Sequence, residues 1–187
     1  MRSLVKQGIL AILLGICLIL QSGCGKSERD EPTIPSNSSH SYDINIASGE
    51  AFSGQIPKET AGVYNSVSFV NYDPEQERKT ITILLQEAGK TQVTVGLILD
   101  HDNQPASLIK NGEEISSKVT VNKWGEELRY TSVQCTFSLK AYQEHSITAF
   151  GDEATVAALS LEFEGFFQAS TSGEEVEVSG AIKIAAP

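Results

Sequence analysis

Strict period-two alternation in the C-terminal part of the chain limits its fold more than any other feature. Leu159, Leu161, Phe163, Gly165 and Phe167 take every second position, with Glu162, Glu164 and Gln168 between them. After Ser172 and Gly173 the pattern resumes: Val176, Val178, Gly180, Ile182 and Ile184 alternate with Glu177, Ser179 and Lys183. Successive side chains of a strand point to opposite faces of a sheet, so each segment carries one apolar and one polar face. Two such segments around a Ser-Gly turn predict an antiparallel hairpin with matching apolar faces. Gly165 and Gly180 interrupt those faces at similar distances from the turn. Glycine inside a strand marks a bulge or a close approach of another backbone.

The same period runs through the chain from Tyr42 onward. Residues 80–86 and 91–99 read as strands joined by a turn at Ala88, Gly89 and Lys90. Asn111-Gly112, the strongest short hairpin signal, links 107–109 to 115–121. Residues 63–72 are rich in aromatic and β-branched residues and end at Asp73-Pro74, a turn. Residues 128–142 alternate for long enough to bend around the edge of a sheet. Within them Val133, Cys135, Phe137 and Leu139 share one face, which predicts a thiol packed in the core as a small hydrophobe. Residues 151–158 permit either a turn or two of helix or a lead-in to the last strand pair. No long stretch carries a 3.6-residue period. Strands broken by turns every ~8–12 residues predict an all-β fold, an antiparallel β-sandwich, with a β-barrel as the alternative.

The N-terminal segment is of a different kind. Arg2 and Lys6 precede an apolar run over residues 8–20. That run is shorter than the roughly 20 residues that cross a bilayer. It matches the apolar region of a secretory signal peptide, about 7–15 residues long. Ser22 and Gly23 then lead into Cys24, and residues 20–24 resemble the lipobox of bacterial lipoproteins. Gln21 stands where that family places Leu, and Leu20 lies one position earlier. The resemblance implies cleavage after Gly23 and lipidation of Cys24 by palmitate-like chains. The domain would then be held on the bacterial cell envelope, outside the cytoplasm. Gly25 rather than Asp after the Cys resembles outer-membrane sorting in a Gram-negative organism. An uncleaved membrane anchor is the competing reading. Each buried CH₂ of an acyl chain contributes about 0.8 kcal/mol, so two or three chains anchor a protein with no polybasic patch.

The expected organisation is therefore a signal peptide over 1–23, a lipidated Cys with a flexible linker over 24–41, and one β-sandwich domain over 42–187. Residues 25–41 hold a single large apolar residue, Ile34, and cannot bury a core. Of the 14 Lys and Arg residues, Arg2 and Lys6 lie in the signal, which leaves 12 against 24 Asp and Glu, a net charge of −12. Such a surface repels phosphate backbones and predicts no nucleic-acid partner. With Cys24 lipidated, Cys135 is the last thiol of the mature chain, so no intrachain disulfide is expected.

Candidate chemistry is sparse. The acidic pairs Glu113-Glu114, Glu126-Glu127, Asp152-Glu153 and Glu174-Glu175 all fall in or beside expected turns. Adjacent strand residues face opposite ways, so such neighbours do not converge by themselves. Asp100, Asp102 and Asn103 supply hard oxygens of the kind calcium prefers. Their loop lacks the Gly and Glu of the helix–loop–helix calcium template, and Asp and Asn also suit a plain turn before Pro105. His40, His101 and His145 have no second His or Cys at zinc-ligand spacing. There is no Gly-x-Ser-x-Gly elbow, phosphate loop or dinucleotide fingerprint. Trp124 and Tyr130 flank a turn at 124–127 and are the expected ligand or partner contacts, since an exposed Trp there anchors a partner or stacks on a sugar. The expectation is a membrane-anchored lipoprotein whose β domain binds or scaffolds an envelope protein or glycan without catalysis. The alternatives are an extracytoplasmic hydrolase whose carboxylates the fold assembles, and a weak calcium-dependent module.

Overall fold

The computed structural model describes residues 39–58, 66–149 and 151–187. Gly23 and Cys24 lie outside the described residues, as do the expected signal peptide and most of the expected linker. Among the described residues there are eleven strands and no helix. They are β1 (Ser39–Ile46), β2 (Ala51–Pro57), β3 (Ser66–Asp73), β4 (Arg78–Glu87), β5 (Thr91–Leu99), β6 (Ser107–Lys110), β7 (Glu113–Ser116), β8 (Lys118–Lys123), β9 (Leu128–Ala149), β10 (Asp152–Ala169) and β11 (Glu175–Ile184). Nine of them form one sheet in the order β2-β1-β11-β10-β3-β4-β5-β8-β9, with β9 also pairing β10; β6 and β7 make a separate hairpin. Residues 151–158 thus lead into a strand from Asp152 on, and the helical option is not taken.

All pairings are antiparallel, and short connections account for those between strands consecutive in the chain. The β4–β5 hairpin turns at 88–90, and the β6–β7 hairpin turns on Asn111 and Gly112, whose φ values of 54° and 82° are those an Asn-Gly turn requires. In the C-terminal hairpin Leu159 faces Ile184, Leu161 faces Ile182, Phe163 faces Gly180 and Phe167 faces Val176. The two apolar faces therefore meet as the alternation predicts. Gly180 leaves room for the Phe163 ring, since a Cβ there would lie 2.5 Å from its Cζ.

The long β9–β10 pair forms the corner of the sheet, and its register slips twice. Ser132 faces Phe167 and Gln134 faces Phe166, so Val133 is an extra residue. Leu139 faces Leu161 and Ala141 faces Ser160, so Lys140 is the second. Each bulge inverts the inward phase of β9. Tyr130 and Ser132 point inward before the first bulge, and Cys135, Phe137 and Leu139 pack on the core between the two. Tyr142 packs on the core after the second. This corrects the expected apolar face at one position: Val133 is the bulged residue and stays 58% exposed.

The start of β9 pairs with β8 through Val121 and Tyr130, while its whole length pairs with β10. On its other edge β10 meets β11, and it meets β3 at one position, Val156 opposite Phe69. The sheet folds over a single core without closing as a true barrel, and both sandwich and barrel-like describe it. That core joins Ile81, Ile83 and Leu85 of β4 and Val93, Val95, Leu97 and Leu99 of β5 with Ile44, Leu159, Leu161, Phe167 and Ile182 from β1, β10 and β11. Burying each such side chain is worth about 1.5–3 kcal/mol.

One boundary differs from expectation. Ser39, His40 and Ser41, read from composition as linker, belong to β1 and pair with Pro57, Ile56 and Gln55 of β2. His40 is buried because its Nδ1 accepts the backbone N–H of Ala185 at 3.1 Å. A polar residue with a buried partner reads from sequence alone as a surface residue.

Candidate functional site

The inward phase of three adjacent strands decides which residues surface beside the β8–β9 turn. Val93 of β5, Val121 of β8 and Tyr130 of β9 face the core. Their chain neighbours Gln92, Asn122 and Arg129 must therefore emerge on the opposite face. The register places Gln92 opposite Asn122 and Asn122 opposite Arg129. The three side chains form a hydrogen-bonded row: Arg129 Nε donates to Asn122 Oδ1 at 2.9 Å, and Asn122 Nδ2 donates to Gln92 Oε1 at 3.0 Å.

This row has a direction. Each amide oxygen already accepts one bond from its neighbour, and the row keeps several free donors: the Gln92 amide N–H groups, the second Asn122 N–H and the terminal N–H groups of Arg129. Among the described residues no acceptor takes the terminal Arg129 groups. Ser170 fixes the far wall, its hydroxyl accepting the backbone N–H of Arg129 at 3.0 Å and donating to the Glu127 carbonyl at 3.1 Å.

Trp124 lies two residues beyond Asn122, just past the end of β8. Its backbone N–H donates to the Lys90 carbonyl at 2.9 Å, and Gly125 takes a φ of 84° to make the turn. The indole remains 49% exposed. Trp124, Gln92, Asn122, Leu128, Arg129 and Ser170 line a shallow groove of about 620 Å³. Lys123, Gly125 and Glu127 complete its lining, so the groove is open and lined mostly by polar residues, with one aromatic wall.

Tyr130, expected alongside Trp124 as a contact residue, is placed otherwise. It is buried, its ring meets Phe52 edge-on at 6.2 Å, and its hydroxyl donates to Glu50 Oε2 at 2.8 Å. Burial and then the Glu50 carboxylate push its phenol up to about 12. Lys123 joins the same cluster, 2.8 Å from Glu126 and 3.3 Å from Glu50. Tyr130 thus pins the base of the turn, while Trp124 faces solvent.

The Asp100 loop is organised by its own backbone. Asp100 Oδ1 accepts the N–H of Gln104 at 2.8 Å and of Asp102 at 3.0 Å. Those bonds, Gln104 first, hold its carboxyl below the usual range. Asp102 pairs with His101 at 3.1 Å, and Asn103 Oδ1 accepts from the Lys79 ammonium at 2.9 Å. Asp100, Asp102 and Asn103, the residues expected to bind calcium, thus each have a separate partner. An ammonium stands against one of the oxygens, the Asn103 Oδ1. Among the described residues no three His, Cys, Asp or Glu side chains come together as a metal-holding group.

The acidic pairs also stay apart. Glu113, Glu114, Glu126, Glu127, Asp152, Glu153, Glu174 and Glu175 are all exposed at or beside turns. Cys135 and His145 are ten positions apart on β9, about 30 Å along a strand, so they form no dyad. Burial raises the Cys135 thiol to about 11, which keeps it protonated and unreactive at neutral pH.

Protein-family models, curated proteins and solved structures were all compared with this chain, and none matches.

Proposed function

We propose that the chain is an envelope lipoprotein, held by lipid on Cys24, whose β domain binds an envelope glycan through the Trp124 face. The observation that carries the binding reading is a half-exposed Trp beside a row of oriented donors. An indole offers a flat apolar face to a sugar ring. The donors of Gln92, Asn122 and Arg129 suit the hydroxyl and ring oxygens of a saccharide, which is rich in acceptors. The dispersal of the carboxylates among turn tips supports binding over hydrolysis. The anchoring part rests on residues 20–24 and gives the domain an address outside the cytoplasm.

Two experiments test the two halves. Trp124→Ala should reduce retention of the protein on immobilised envelope polysaccharide at least about tenfold, equivalent to 1.4 kcal/mol. Retention equal to the parent would overturn the glycan reading. Cys24→Ala should lose the acyl mass in mass spectrometry and move from the membrane to the soluble fraction. A variant that keeps both lipid and membrane association would overturn the anchoring reading.

A further inference from the structure

A second cavity lies at the opposite end of β10 from Ser170. It measures about 260 Å³ and is lined by Phe69, Ile147, Val156 and Ile184, with His40 and Lys58 among its walls. The apolar residues come from four strands, β3, β9, β10 and β11, that converge where β10 passes from β11 to β3. Polar groups deeper in the wall are satisfied internally: the Ser68 hydroxyl donates to the Ala157 carbonyl at 2.7 Å.

The two cationic or donor groups are not satisfied in this way. Lys58 has no acidic partner among the described residues. His40 accepts the Ala185 N–H on Nδ1, which places the proton of its neutral ring on Nε2, and no described residue accepts that proton. Burial, and then the charge of Lys58, lower the His40 pKa and favour this neutral ring. An ammonium and an N–H donor beside an apolar chamber are complementary to a negative head on an apolar tail.

We propose that this cavity binds a single-tailed amphipathic carboxylate, with its tail among Phe69, Ile147, Val156 and Ile184 and its head on Lys58 and His40. The apolar walls and a volume of about 260 Å³ suit one medium-length tail with its head at the rim. The site is independent of the Trp124 face, and neither stands on the other.

Decanoate, decanol and decyltrimethylammonium are the probes, each titrated by calorimetry and thermal shift into the full chain carrying Cys24→Ala, so that no acyl group of its own competes. Decanoate should bind and raise Tm by mass action. Decanol should bind at least tenfold more weakly, and the cation should not bind. Lys58→Gln, a change at the cavity wall rather than in the core, should bring decanoate down to the decanol level. Absence of decanoate binding would overturn the proposal. So would equal binding of the cation, an unchanged decanoate affinity in Lys58→Gln, or binding to anionic vesicles alone.

Discussion

Gly165→Ala is expected to destabilise the domain by about 3 kcal/mol or more, combining overpacking with backbone strain. A Cβ at this position would lie 2.1 Å from the Gln134 carbonyl oxygen and 2.8 Å from the Cys135 Cα. Both obstacles are backbone, so no rotamer change relieves them. Strand β10 cannot lift away either, because Gly165 pairs with Cys135 on one side and Val178 on the other. The approaching β9 backbone, Gln134 and Cys135, directly follows the bulged Val133. Its φ of 156° adds to the difficulty for an L side chain. Gly96→Ala is the control, since nothing lies within 4 Å of a Cβ there. Denaturant unfolding should place it within about 0.5 kcal/mol of the parent. Equal effects at the two glycines would contradict the bulge geometry.

Phe167→Ala should lower stability by about 3–5 kcal/mol, the range for truncating a buried aromatic. The ring is fully buried and packs on Phe163 at a centroid distance of 6.0 Å, which in turn meets Phe137 at 6.5 Å. This aromatic run sits inside the corner where β9 and β10 bend. Phe166, the preceding residue, is 41% exposed. Phe166→Ala should therefore cost under about 1 kcal/mol, as surface changes do. Two adjacent phenylalanines with a several-fold difference in effect report the phase of β10 directly. Similar losses at both would mean that the phase is assigned wrongly.

The hairpins were legible before the structure because face and turn together define a register. For 91–99 and for 159–184 the apolar phase and the turn residues agree, and the pairing follows. The bulges were not legible. Val133, Cys135, Phe137 and Leu139 read as one unbroken face, and the register that makes Val133 the extra residue belongs to β10. Tyr130 was misplaced by its position beside a turn, and its inward phase is set by its pairing with Val121. His40 was hidden by its polarity, since the Ala185 N–H that makes its burial tolerable lies at the other end of the chain. At the candidate site, Trp124 could be found as an aromatic next to a turn. Gln92, Asn122 and Arg129 could not, because they are distant in sequence and become a row once β5, β8 and β9 are aligned. The only available hint was that each alternates with an inward apolar neighbour.

Trp124 is the one tryptophan of the chain, so its emission reports on the proposed glycan face without a label. The decisive measurement is a fluorescence titration of the protein with solubilised envelope polysaccharide, repeated on Arg129→Ala. The account predicts a saturable blue shift as the indole leaves water, with the midpoint moved at least tenfold higher in the variant. Polysaccharide binding with unchanged tryptophan emission, or a midpoint that Arg129→Ala leaves in place, would contradict it.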